Sequence, residues 1–171
     1  MIKKFLNLYR IYFWPCERYA KSLGVKIGEK CSIATRNFGS EPYLIEIGNN
    51  VQITNGVKFF CHGAAWIFRK KNPKFDFFGK IKVGDNVYIG NNVLIMAGVT
   101  IGNNTIIAAG AVVTKSVQEN SIIGGNPARL LGNVSELEER MLKYNIETKG
   151  MKYEEKKRIL LSLPDDKFIS K

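Results

Sequence analysis

From Val83 to Val117 an aliphatic residue returns at every sixth position. Val83, Ile89, Ile95, Ile101, Ile107 and Val113 open the units VGDNVY, IGNNVL, IMAGVT, IGNNTI, IAAGAV and VTKSVQ. The fifth place is mostly Val, Thr or Ala, which suits a short extended segment. Between first and fifth places lie Gly84-Asp85-Asn86, Gly90-Asn91-Asn92 and Gly102-Asn103-Asn104, residue types that accept turn or left-handed backbone at low cost. Each unit therefore reads as a short strand followed by a corner. Self-similarity at a fixed period marks a solenoid. Units this short stack strand on strand at about 4.8 Å around an internal aliphatic ladder. The pattern predicts a mainly β fold, a single-stranded parallel β-helix; its handedness is not contained in the period.

The repeat begins earlier and is interrupted twice. Ile27, Ile33, Ile47, Ile53 and Phe59 also fall on opening positions. Ile33 and Ile47 are fourteen residues apart, two more than two units, so the segment NFGSEPYL carries a small outward bulge. After Phe59 the pattern vanishes until Val83, and the intervening aromatic, lysine-rich stretch reads as a loop over about 62–80 thrown out of the coil. Long loops inside compact domains are usually functional. The coil as a whole is expected over 25–127.

The two ends have different character. Residues 2–22 form an amphipathic pattern, interrupted at Pro15 and ending near Gly24, which predicts a helical arm over 1–24. Phe5, Leu8, Tyr9 and Tyr12 would cap the open end of the coil; alternatively, the alternation of aromatic and basic residues suits a peripheral membrane contact. A helical tail is expected over 128–171. Its first helix runs from Ser135, as N-cap with Glu138 completing a capping box, to about Tyr144, and its second from Glu154 to Leu163.

At 171 residues the chain is one domain with terminal appendages. Its net charge of +11 is spread over arm, loop and tail without a nucleic-acid-binding module, so an anionic cofactor, an anionic substrate or a membrane surface suits it better than nucleic acid. Cys16, Cys31 and Cys61 lack disulfide or ligand spacing and read as reduced thiols, which points to the cytoplasm. The N-terminal apolar run is broken by Asn7 and Arg10 and resembles neither a signal peptide nor a membrane span. His62 is the single histidine, so no metal site is expected, and no phosphate-loop or dinucleotide fingerprint is present.

The run from Ile89 to Gly132, and above all its ending GAVVTK…GGNPAR, resembles the hexapeptide-repeat acyltransferases, in the branch of maltose, galactoside, xenobiotic and capsular-sugar O-acetyltransferases. The resemblance covers roughly 25–132. It implies a left-handed coil, a homotrimer with active sites between subunits, and acetyl-CoA lying along the coil. It also implies a catalytic histidine leading the projecting loop, the place of His62 here. CoA contacts map onto Asn91, Ala109, Thr114, Lys115 and Arg129, and the oxyanion-holding backbone N–H onto the corner Met96-Ala97-Gly98. The arm ending in KSLGVKIGEKCSI looks like that of polysaccharide-biosynthesis members, whereas the loop departs from the antibiotic-modifying ones.

The residues support these roles in differing degree. A neutral imidazole suits removal of a proton from a hydroxyl attacking a thioester, although a lone histidine is also a common surface residue. Cys61 beside it points to the opposite side of an extended chain, against a Cys–His pair. Ala97-Gly98 and Ala109-Gly110 replace bulkier corners where a pantetheine arm would lie flat, or where subunits pack closely. Lys115 and Arg129, where Pro127 fixes the exit of the chain, suit phosphates or are simply solvated. Trp66, Phe68 and the other loop aromatics either stack on a sugar or anchor the loop to a neighbour. Asn55 is either an acceptor-site group or a turn asparagine. The expected activity is acetyl-CoA-dependent O-acetylation of a sugar or surface-glycan hydroxyl. The alternatives are N-acetylation of an aminosugar nucleotide and a non-catalytic trimeric scaffold.

Overall fold

A computed structural model of the chain describes residues 9–170; Phe5 and Leu8, expected in the cap, lie outside the described residues. The coil has three flat faces, each a sheet of short strands. The first face stacks β1 (Lys26–Ile27), β3 (Ile45–Ile47), β6 (Ile81–Val83) and β9 (Thr100–Ile101). The second stacks β2 (Ser32–Ile33), β4 (Gln52–Ile53), β7 (Val87–Ile89), β10 (Thr105–Ile107) and β12 (Ser121–Gly124). The third stacks β5 (Lys58–Phe59), β8 (Leu94–Ile95) and β11 (Val112–Val113). All these pairings are parallel, as expected for a coil climbing one strand per face per turn.

The opening residues of the six-residue units form the internal ladders. Ile53, Ile89 and Ile107 stack in one column and Phe59, Ile95 and Val113 in another, all essentially inaccessible to water. Each contributes about 1.5–3 kcal/mol by burial. Partners one turn apart, such as Val83 and Ile101, are eighteen residues apart in sequence. Across the loop, Ile47 pairs with Val83 and Phe59 with Ile95, thirty-six apart in each case. The loop is therefore an eighteen-residue insertion that leaves the register of the coil intact. Between the first two turns Ile27 pairs with Ile47, twenty apart, and the two extra residues are taken up around a 3₁₀ turn at Pro42–Leu44. This is the expected bulge, and Phe38 just before it turns inward to stack on Phe59, ring centroids 5.5 Å apart.

At the corner between the first and second faces, the Gly-Asn-Asn triplets divide their labour. Left-handed backbone falls on Asn50, Asn86 and Asn104, with φ of 52°, 56° and 52°. Their side chains form a ladder, Asn50 Nδ2 donating to Asn86 Oδ1 at 2.8 Å and Asn86 Nδ2 to Asn104 Oδ1 at 2.7 Å. The glycines meet a different demand. A Cβ on Gly48 would lie 2.7 Å from the carbonyl oxygen of Gly84, so stacking of the coil forbids it.

The ends depart from the sequence pattern in three places. Residues 9–13 are helical, the helix breaks at Trp14-Pro15, and α1 follows over Cys16–Ser22. Helix α1 lies on the end of the coil, where it buries Tyr19 and Ala20. Tyr9 and Tyr12, expected to cap, are exposed because Pro15 ends the first helix before it reaches the coil. After β12 a turn over 125–128 reverses the chain into β13 (Arg129–Asn133), an antiparallel strand where a helical tail was expected. A second compact unit comprises Ser135–Lys171, with Met1–Val134 as the first. Helix α2 covers Val134–Leu142, so Ser135 sits in its first turn and not at the cap; α3 covers Tyr153–Ser162.

Candidate active site

His62 stands at the corner between the third and first faces, where the eighteen-residue loop leaves the coil. Two contacts close the loop at its base: the Gly79 N–H donates to the Cys61 carbonyl at 2.7 Å, and His62 bridges antiparallel to Phe78. The Phe78 ring lies edge-on to the imidazole at 5.7 Å. On its other side, His62 Nδ1 is 2.6 Å from Glu41 Oε2. Glu41 directly precedes the 3₁₀ turn of the bulge and is largely shielded, its side chain 13% exposed against 39% for His62. A carboxylate only accepts, so Nδ1 donates, and in the neutral ring the lone pair is then left on Nε2. The contact thus orients the ring and selects that neutral tautomer.

Cys61 is no partner in this chemistry. It is 1% exposed and part of the core. Burial, followed by the charge of Glu41, pushes its thiol up. It stays protonated where a nucleophilic cysteine must ionise.

Glu41 is the site residue that sequence reading missed. The residue comes from the first interruption of the repeat and His62 from the second, and only the coil brings them side by side.

The same corner continues upward. Gly79 presses on the Ala97–Gly98 corner of the next turn, where a Cβ on Gly79 would lie 2.8 Å from the Ala97 carbonyl carbon. One turn further, Met96 N–H donates to the Val113 carbonyl, which stacks Met96-Ala97 under Thr114-Lys115. There a cleft of about 440 Å³ opens, lined by Thr114, Lys115, Ser116, Ala128, Arg129 and Leu130. Arg129 donates to the Ala128 carbonyl at 3.0 Å, and neither it nor Lys115 pairs with a carboxylate among the described residues. His62, Ala97, Thr114 and Lys115 therefore follow one edge of the coil, and Arg129, on β13 beside the second face, reaches the cleft at its end.

Asn55, Asn91 and Ala109 follow a different edge, between the second and third faces. The Asn92 N–H donates to the Asn55 carbonyl at 3.0 Å and the Gly110 N–H to the Asn91 carbonyl at 2.8 Å, stacking these corners in a second column. The two Ala-Gly corners, given the same role by the sequence pattern, thus belong to separate edges of one subunit. The loop holds a small aromatic cluster of its own, Phe68 against Phe75 at 5.0 Å and Phe75 against Phe77 at 6.0 Å, tied by Arg69 to the Phe75 carbonyl. Trp66 is outside that cluster and 82% exposed.

The chain as a whole has known relatives. Residues 80–115 match the family model described as bacterial transferase hexapeptide (six repeats). The chain is 53% identical over 146 residues to Protein CapG of Staphylococcus aureus, covering 83% of this chain and 85% of that protein. It superposes on a maltose O-acetyltransferase structure from Clostridium difficile 630 with a TM-score of 0.54 at 27% identity, covering 69% and 74% of the two chains. A galactoside acetyltransferase in complex with coenzyme A shares the fold, with a TM-score of 0.58 at 24% identity over 80% of each chain.

Proposed function

The chain belongs to the hexapeptide-repeat transferase family and is an acyltransferase, and from that premise we propose that it transfers acetyl from acetyl-CoA to a hydroxyl of a sugar or surface glycan. The observation that carries the reading is the 2.6 Å contact of His62 Nδ1 with Glu41, which presents Nε2 as a base beside the edge leading to Lys115 and Arg129. The acceptor hydroxyl attacks the thioester carbonyl carbon while its proton passes to His62 Nε2. The tetrahedral oxyanion is held by a backbone N–H of the Ala97–Gly98 corner. It collapses with breakage of the C–S bond, and the proton on His62 passes to the departing thiolate. Glu41 orients the ring and steadies the imidazolium formed on the way. Base catalysis of this kind is worth about 10²- to 10⁴-fold.

The cleft at the end of the edge suits the phosphate end of CoA, with Lys115 and Arg129 as its cations. In this reading the coil has the left-handed sense of its family and assembles as a homotrimer. Threefold symmetry then sets the His62 edge of one subunit against the Asn55, Asn91 and Ala109 edge of the next. Support comes from the division of the candidate residues between two edges, neither of which assembles the site alone. The exposed loop aromatics Trp66 and Phe68 meet the acceptor sugar. A carbohydrate acceptor is in keeping with the named activity of the maltose O-acetyltransferase relative. In this reading the reaction takes place in the cytoplasm, where acetyl-CoA is available.

The test is CoA release from acetyl-CoA with a panel of oligosaccharides carrying free hydroxyls or amines. Turnover on hydroxyl sugars supports the proposal; turnover confined to amines overturns the O-acetylation, and none with any glycan overturns the acceptor class.

A further inference from the structure

Among the described residues before the helix break, Tyr9, Tyr12 and Phe13 take no part in capping the coil. Capping is done by Tyr19 and Ala20 of α1, both buried, while Tyr9, Tyr12 and Phe13 are 51%, 74% and 72% exposed. These three lie at i, i+3 and i+4 of one helical face, and Tyr9 stacks on Phe13 with centroids 5.1 Å apart. A contiguous aromatic patch on the surface is costly in water and marks a contact.

The neighbouring face is cationic. Arg10 and Arg18 lie over the Trp14 ring at 5.1 and 4.1 Å from its centroid, one from each side of the helix break. Neither is paired with a carboxylate among the described residues, since Glu17 is taken by Lys21 at 2.7 Å. Arg36, from the first turn of the coil, donates through Nη2 to the Trp14 carbonyl at 2.6 Å and lies over the Tyr19 ring. That bond ties the break to the coil, so the aromatic face is presented from a fixed base.

We infer that residues 9–18 form a peripheral membrane-binding element that seats Tyr9, Tyr12 and Phe13 among the headgroups of an anionic phospholipid bilayer. Arg10 and Arg18 meet the phosphates at its flank. Aromatic rings with one apolar and one polar side favour that depth, and guanidinium groups pair bidentately with phosphate. The net charge of +11 draws the whole chain toward such a surface. The inference is independent of the acetyl-transfer reading.

The full chain is tested by flotation with phosphatidylcholine vesicles, with and without phosphatidylglycerol, at low and high salt, and by its mass in solution. The expected result is binding that needs phosphatidylglycerol and weakens with salt. Arg10→Gln and Arg18→Gln should each weaken it about fivefold. Tyr12→Ser with Phe13→Ser should abolish it while circular dichroism and mass stay unchanged. Absence of binding to phosphatidylglycerol vesicles, or undiminished binding by the Tyr12→Ser/Phe13→Ser variant, overturns the inference. So does a change of oligomeric mass in that variant, which would make the patch an interface between copies.

Discussion

His62 Nδ1 and Glu41 Oε2 sit 2.6 Å apart although twenty-one residues separate them, each carried by a different interruption of the same repeat. In the proposed mechanism Glu41 is a positioning residue, acting through the imidazole. Glu41→Gln should lower kcat about 10- to 100-fold, the scale of one charge-assisted hydrogen bond, and leave the KM for acetyl-CoA unchanged. Steady-state kinetics with both substrates varied reads the change, and the stoichiometry of acetyl-CoA binding by calorimetry counts the active protein, so that misfolding, which lowers the stoichiometry, is told apart. An unaltered kcat would remove Glu41 from the mechanism.

Lys115 and Arg129 line the cleft at the far end of the His62 edge. Lys115→Ala and Arg129→Ala should each raise the KM for acetyl-CoA by up to about fivefold, in keeping with exposed ion pairs, with kcat held. Added salt should blunt the difference from the parent protein. A fall in kcat at unchanged KM would place these cations elsewhere in the reaction.

Cys61 carries a pH signature. Burial and the Glu41 charge push its thiol up in the folded protein, so the unfolded chain loses this proton first. Stability should then decline as pH rises above about 8.5, where an ordinary thiol ionises, and level off once Cys61 itself ionises. Denaturant midpoints from pH 7 upward would show this slope in the parent and a shallower one in Cys61→Ala. The same variant should keep its turnover, since Cys61 takes no part in transfer.

Much of this architecture was legible because a period of six repeats one physical event, an aliphatic side chain turning inward at each face. The loop and His62 were legible as breaks in that period. Glu41 was not, since nothing local links it to His62; their proximity follows from stacking of successive turns. Nor does the period say on which edge a corner falls, and so Ala97 and Ala109 looked alike while standing on separate edges. Strand β13 was missed because Arg129–Asn133 carries no alternating pattern: its pairing is set by the turn that precedes it.

The asparagine ladder offers a test of the fold itself. Asn86 holds left-handed backbone and bonds to Asn50 and Asn104 at once. Asn86→Ala should cost about 1–2 kcal/mol from the backbone alone, and Asn86→Gly less, in chemical denaturation. Equal cost for the two would mean that the side-chain ladder and not the backbone carries the effect.

The central claim is that His62 is the base for acetyl transfer, and turnover by His62→Ala tests it most directly, measured as CoA release with an accepted glycan alongside acetyl-CoA affinity by calorimetry. Turnover should fall about 10²- to 10⁴-fold with affinity unchanged. Turnover close to that of the parent protein, with acetyl-CoA bound equally well, would contradict the mechanism.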